Sequence, residues 1–199
     1  YKIQSVEDDP EAVAELVAAA HLYIDLKKKG VQGFPKPLAA GKTSDGKGLW
    51  ILMQAPIDAV DQWDLVSSDA SPDVVLATSE RSGQHLLNFH HAKPIGGKGV
   101  YVLGDYKPEN VTSSPTEGVA NIDPVYSIVI DKEKGLFLRK SDAATKGFMP
   151  LTREGKFSKE WIHTQEADVF SFIMSQIDLI HKMLERYPDK EDARRKLLL

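Results

Sequence analysis

Apolar side chains near the start of the chain return at helical intervals: Val13, Leu16, Val17, Ala20, Tyr23 and Ile24 share one face. The spacing predicts a helix over residues 10–29. Asp9 is placed to accept from the first free backbone N–H groups, and Pro10 suits the first helical position, where no donor is needed. Glu7, Asp8, Asp9 and Glu11 crowd the positive end of the helix dipole, Lys27, Lys28 and Lys29 crowd the negative end, and Gly30 offers a left-handed stop. A second helical rhythm comes late in the chain. Phe170, Ile173, Ile177, Ile180 and Leu184 predict a helix over residues 164–187, stopped by Pro188, with Phe172, Leu179 and Met183 widening its stripe. Such a stripe packs on a sheet or forms the seam of a homodimer.

Between these helices the apolar runs are short. Residues 49–53 are continuously apolar, as in a strand buried on both faces, and residues 74–77 and 100–103 read as further strands. Residues 125–130 and 136–138 flank a charged segment ending in Gly135, which predicts a β-hairpin. Residues 57–66 fit a helix, with Asp58, Asp61 and Asp64 on one face, or a strand. Residues 31–48 and 107–124 are rich in turn formers and read as two long loops. The order predicts an α+β domain over residues 1–187. Its largely antiparallel sheet of about five or six strands is covered by the two terminal helices, and residues 188–199 form a tail. The alternative is an α/β fold with parallel strands, which helices over 57–66 and 83–89 would produce.

Composition narrows the chemistry. A chain of 199 residues, 42% of them hydrophobic, has enough apolar surface for a real core. A formal net charge of −4 gives no global electrostatic footprint for nucleic acid. The chain has no cysteine, which excludes disulfides, thiolate metal sites and a cysteine nucleophile. No apolar run approaches the ~20 residues of a membrane span. The sequence opens on Tyr1 rather than Met, which is compatible with a removed signal peptide, so the compartment stays open.

Most short motifs read as surface. Gly41-Lys42-Thr43 matches the end of a phosphate-binding loop, but Lys36 stands where its first glycine belongs, and prolines precede it instead of a strand. Asp58, Asp61 and Asp64 read as a solvated face, and no Gly-x-Ser-x-Gly nucleophile elbow occurs. His85, His90 and His91 cluster, yet Glu80 lies five positions before His85 and misses the i, i+4 geometry of helical metal ligands. In a strand, His90 and His91 point to opposite faces. No metal site is expected. His85, His90, Lys98 and Asp105 are the candidate ligand-binding residues.

His91-Ala92-Lys93, followed by ten residues and then Gly104, resembles one copy of the histidine-x-lysine motif of the phospholipase D superfamily. The resemblance implies a phosphodiesterase or nuclease in which His91 attacks phosphorus and Lys93 neutralises the phosphoryl oxygens, with two copies of the chain completing the site. Lys98 replaces the acid of that motif and Asp105 its serine, while Asn110 matches its asparagine in type but not in spacing. No complete catalytic constellation emerges from the residues themselves. The leading expectation is therefore a non-enzymatic ligand-binding or regulatory domain with a cleft between the sheet and the long loops. The alternatives are the phosphodiesterase using His91 and Lys93, and an assembly protein dimerising through Phe170, Ile173, Ile177, Ile180 and Leu184.

Overall fold

A computed structural model describes residues 2–5, 10–54, 57–68, 70–94, 99–116, 118–121, 128–130, 136–137 and 162–186. The chain forms an α+β fold in which every strand pairing among the described residues is antiparallel. Strand β1 (Lys2–Ser5) and β2 (Pro37–Lys42) flank β3 (Gly48–Met53), and helix α1 (Pro10–Lys28) packs on this sheet. The buried residues Leu16, Ala19, Tyr23 and Ile51 join the two layers. Strand β4 (Val60–Asp61), helix α2 (Gln62–Ser67) and helix α3 (Pro72–His91) follow. Next come β5 (Val100–Val102), a 3₁₀ turn (Pro108–Asn110), β6 (Val111–Ser114) and β7 (Gly118–Asn121). Strands β8 (Ile128–Ile130), β9 (Leu136–Phe137) and β10 (Ile162–His163) precede the long helix α4 (Gln165–Arg186).

One strand reading is replaced by a helix. Residues 74–77 belong to α3, not to a strand. Ser71 accepts from the Val74 N–H, Pro72 occupies the first turn and Asp73 faces the positive end of the dipole, so the start signal overrides the β-branched run. The buried face of α3 includes Thr78, Ser82 and His85 beside Val75, Leu86 and Phe89. Half of that face is polar, which hides the helical period from a hydrophobic count. Residues 57–66 contain both readings in succession: β4 ends at Asp61, whose side chain caps α2 by accepting from the Asp64 N–H at 2.8 Å.

The turn expected at residues 131–135 lies outside the described residues, and among the described residues the strands on either side of it have other partners. Strand β8 pairs with β5, and β9 pairs with β10. The loops over 31–48 and 107–124 contain β2 and β6–β7 respectively. On α4 the buried face is rotated from the expected stripe, although Ile180 and Leu184 still pack against the core at its edge. Ala167, Asp168, Ser171, Ser175, Leu179 and Met183 face inward, while Ile173 and Ile177 are exposed. The hydroxyls of Ser171 and Ser175 donate to the carbonyls of Ala167 and Ser171, so these polar groups are satisfied within the helix. Among the described residues no helix is long and apolar enough to cross a membrane. The tail expected over 188–199 lies outside the described residues.

The central core joins α1, α3 and the strands after it through Leu22, Leu26, Leu86, Phe89, Tyr101, Leu103, Tyr106, Val111 and Val119. Phe34 packs its ring 4.9 Å from that of Phe89, which in turn stacks 5.2 Å from Tyr101. The α1–β2 connector reaches this core through Gly33, whose φ of +86° favours glycine and whose absent Cβ makes room for the His85 imidazole. Gly33→Ala is therefore expected to cost about 2 kcal/mol, the sum of a left-handed backbone and an overpacked contact. Urea unfolding measures it, and a change under about 0.5 kcal/mol would show that the connector shifts freely.

Candidate functional site

The segment joining β5 to β6 is buried along almost its whole length, from Leu103 to Pro108. A loop so placed must find internal partners for its backbone. Asp168, in the first turn of α4, supplies them. Its side chain is 0% exposed, accepts from the Leu103 N–H at 2.7 Å and the Gly104 N–H at 2.9 Å, and lies 2.8 Å from His90 Nε2. Gln165, one turn earlier, donates from Nε2 to the carbonyls of His90 and Tyr101. The start of α4 thus holds the end of α3 and the exit of β5 in one arrangement. Gly104 adopts a φ of +81°, where a side chain would be strained.

Downstream of Gly104 three polar side chains come together. Asp105 Oδ2 lies 3.1 Å from Lys107 Nζ, and Asn110 Nδ2 donates to the Asp105 carbonyl at 2.9 Å and to its Oδ2 at 3.1 Å. Between them Tyr106 turns inward, bonding through its hydroxyl to Ser82 on α3 at 2.5 Å and meeting the edge of Phe172 on α4. Burial pushes the Tyr106 phenol well above its ordinary range, so it stays neutral and acts as a peg. Alternation around this peg turns Asp105 and Lys107 to one side. The result is a carboxylate, an ammonium and an amide held on a loop whose backbone is fixed by a buried anion.

The candidate residues named from sequence are distributed unevenly. Asp105 is in this cluster, and His90 reaches it indirectly through Asp168. His91 is exposed at the C-terminal end of α3 and Lys93 is exposed just beyond it, so the pair named by the motif resemblance stands at a helix end. The Lys93 carbonyl accepts from Lys29 Nζ. Lys98 lies outside the described residues. His85 sits on α3 at the wall of a separate cavity, with Lys27, Lys36 and Arg81. Lys107 and Asp168 had no place among the sequence candidates. The pattern Asp105-x-Lys107-x-x-Asn110 carried a signal; Asp168 carried none, since an acid in the first helical turn ordinarily serves the dipole.

Desolvation, with a smaller contribution from Arg81, depresses the His85 pKa below its ordinary value of 6.5. The folded chain therefore holds this imidazole neutral, while the unfolded chain takes up a proton below about pH 6.5. Its stabilising contribution is complete above that pH and is lost as pH falls toward the folded-state pKa. His85→Gln is expected to flatten the decline in stability between about pH 7 and pH 5, read from unfolding midpoints across that window. An unchanged slope would assign the acid sensitivity to other groups.

Among the described residues no three histidine, aspartate or glutamate side chains converge on a metal position. Asn110 nevertheless commits its amide N–H₂ to Asp105, which leaves its carbonyl oxygen as an acceptor. No protein-family model matches the chain, and no curated protein matches it.

Proposed function

We propose that the chain transfers a phosphoryl group from a magnesium–nucleoside triphosphate to a hydroxyl, in the manner of a protein kinase. The observation that carries the proposal is the Asp105–Lys107–Asn110 cluster on a buried, anchored loop. An aspartate followed five positions later by an asparagine is the pattern of the kinase catalytic loop, in which the acid accepts the hydroxyl proton and the amide holds a metal ion. Lys107 supplies a cation for the developing phosphoryl charge. Leu103 and Gly104 replace the histidine and arginine of that pattern, and the left-handed backbone at Gly104 accounts for the glycine.

The surroundings support the same reading. The loop follows a long helix and a short strand, and a three-stranded antiparallel sheet with its own helix precedes them. Lys2 stands on β1 of that sheet, and a strand lysine is the kinase partner of the nucleotide phosphates. Asp123 follows β7 in sequence and lies outside the described residues; a carboxylate after the second strand completes the metal site in kinases.

In the reaction, the acceptor oxygen forms a bond to the γ-phosphorus as the bond to the bridging oxygen breaks, and its proton passes to Asp105. Asn110 would hold magnesium through its carbonyl oxygen. Such an ion takes one or two protein ligands and completes its shell with phosphates and water, so a cage of acids is not required. Bound magnesium would neutralise the triphosphate. Lys107 balances the charge of Asp105 before substrate enters. The test is nucleotide turnover: release of ADP from magnesium–ATP and a phosphate mass increment on the chain or an added hydroxyl acceptor, both lost in Asp105→Asn. A folded wild-type chain that shows neither would return the reading to a non-catalytic ligand-binding domain. A homodimer through α4 is a second proposal, carried by the exposure of Ile173 and Ile177 and tested by sedimentation of Ile177→Asp.

A further inference from the structure

A cavity of about 610 Å³ opens where the α1–β2 connector meets α3 and the β6–β7 turn. It is separate from the Asp105 cluster and shares no residue with it. Its wall carries Lys27 from α1, Lys36 from the connector, and Arg81 and His85 from α3. No aspartate or glutamate lines it among the described residues. The side chains of Lys27, Lys36 and Arg81 are exposed and make no ion pair among the described residues. His85 adds a second kind of signal. It is 6% exposed, and its buried Nδ1 has no hydrogen-bond partner, although buried imidazole nitrogens are ordinarily satisfied.

We propose that this cavity is a binding site for a small phosphate-bearing anion, held by Lys27, Lys36 and Arg81 with the His85 imidazole at its wall. The size falls within the range of small-molecule pockets, and its mixed polar and apolar wall suits a ligand with several charged oxygens on a compact body. Three cations unopposed by an acid cost energy through mutual repulsion, which a bound polyanion relieves. Arginine adds a planar fork matched to phosphate oxygens, and the two lysines supply point charges.

The position gives the site a consequence. Lys27 and Lys36 belong to the sheet-and-helix unit at the start of the chain, whereas Arg81 and His85 belong to α3. An anion between them ties those parts together. It also presses on Gly33, whose carbonyl accepts the Asn121 N–H at 2.7 Å at the end of β7. Asn121 has both side-chain polar atoms buried and unpartnered, so this junction is polar and incompletely satisfied without a ligand. The site thus reports on the alignment of the two parts that a phosphotransferase must hold together, although its binding does not depend on that activity.

The probe is inorganic tripolyphosphate, titrated calorimetrically into the full chain in EDTA at roughly 0.15 M salt, so that no magnesium–phosphate complex forms and weak surface attraction is screened. Saturable binding of one equivalent is expected, with a melting-temperature rise of roughly 5 °C at one hundred times Kd. Arg81→Ala combined with Lys36→Ala should weaken binding at least tenfold. Lys47→Ala, in the exposed β2–β3 turn, and Asp105→Asn should leave it unchanged. Absence of saturable binding, equal weakening by Lys47→Ala, or retention in the double variant would overturn the site. Loss in Lys107→Ala alone would place the anion at the phosphotransfer cluster instead. A free anion and a phosphorylated peptide are separated by repeating the titration with a short phosphoserine peptide: tighter binding of the peptide assigns the site to a protein-borne phosphate, and weaker binding assigns it to a free one.

Discussion

Asp168→Ala is expected to lower stability by about 3–5 kcal/mol, the largest loss of any single polar truncation among the described residues. The carboxylate is fully buried and serves three donors from two other elements: the Leu103 and Gly104 amides and His90 Nε2. Removing it strands these donors in a site where water has no access. Each unsatisfied group costs roughly 1–3 kcal/mol, and the three couple because they share one acceptor. For a chain of this length the loss corresponds to a fall in melting temperature of very roughly 6–20 °C. Asp168→Asn should recover only part of the loss, since its amide turns two donor hydrogens toward groups that are themselves donors. Amide hydrogen exchange separates this account from a general loss of packing: Leu103 and Gly104 should lose protection ahead of Phe89 and Val111 in the adjoining core. A loss below about 1 kcal/mol would mean that the loop is held by its neighbours and not by this side chain.

The same residue explains why the fold was more legible than the site. Helices α1 and α4 announce themselves by periodic apolar residues and matching end charges, and the strands 49–53 and 100–103 by continuous apolar runs. These signals come from burial, which is local in sequence. Helix α3 was masked because Thr78, Ser82 and His85 occupy its inward face, where each finds a polar role or a tight fit against another element. The inward turn of Ser171 and Ser175 on α4 escaped the pattern for a related reason: their hydroxyls are satisfied within the helix and count as small groups in packing. Pairing of β8 with β5, and of β9 with β10, depends on residues far apart along the chain, whereas a hairpin rule weighs only the intervening turn. Asp105 was visible as a candidate, but its partner Asn110 sits in a following 3₁₀ turn, and the acid that anchors the neighbouring Gly104 sits in a helix that begins sixty residues later. Sequence spacing revealed the first partnership once Asp105 and Asn110 stood together, and nothing short of the tertiary contact revealed the second.

Asp105→Asn is expected to reduce phosphoryl transfer by about 10²–10⁴-fold, the contribution of a positioned general base, or roughly 3–5 kcal/mol of barrier. The substitution is nearly isosteric. The introduced amide would keep an oxygen toward Lys107 and Asn110 while losing the negative charge that draws the hydroxyl proton, and the fold should survive it. The loss should appear in kcat with little change in the nucleotide KM, because the charge acts on the acceptor as the new bond forms and not on the bound triphosphate. Asn110→Ala separates a second role. It removes the amide that fixes Asp105 and the carbonyl oxygen assigned to magnesium, so its activity should fall and its requirement for magnesium should rise. Lys107→Ala removes the cation offered to the developing phosphoryl charge, so kcat should fall, and Lys107→Arg should restore part of it. The three positions therefore predict different readouts: kcat without rescue for Asp105, magnesium dependence for Asn110, and recovery by a second cation for Lys107. A common loss of all activity with no such separation would mean that the cluster only shapes the loop. Unchanged turnover in folded Asp105→Asn would remove the carboxylate from the reaction altogether.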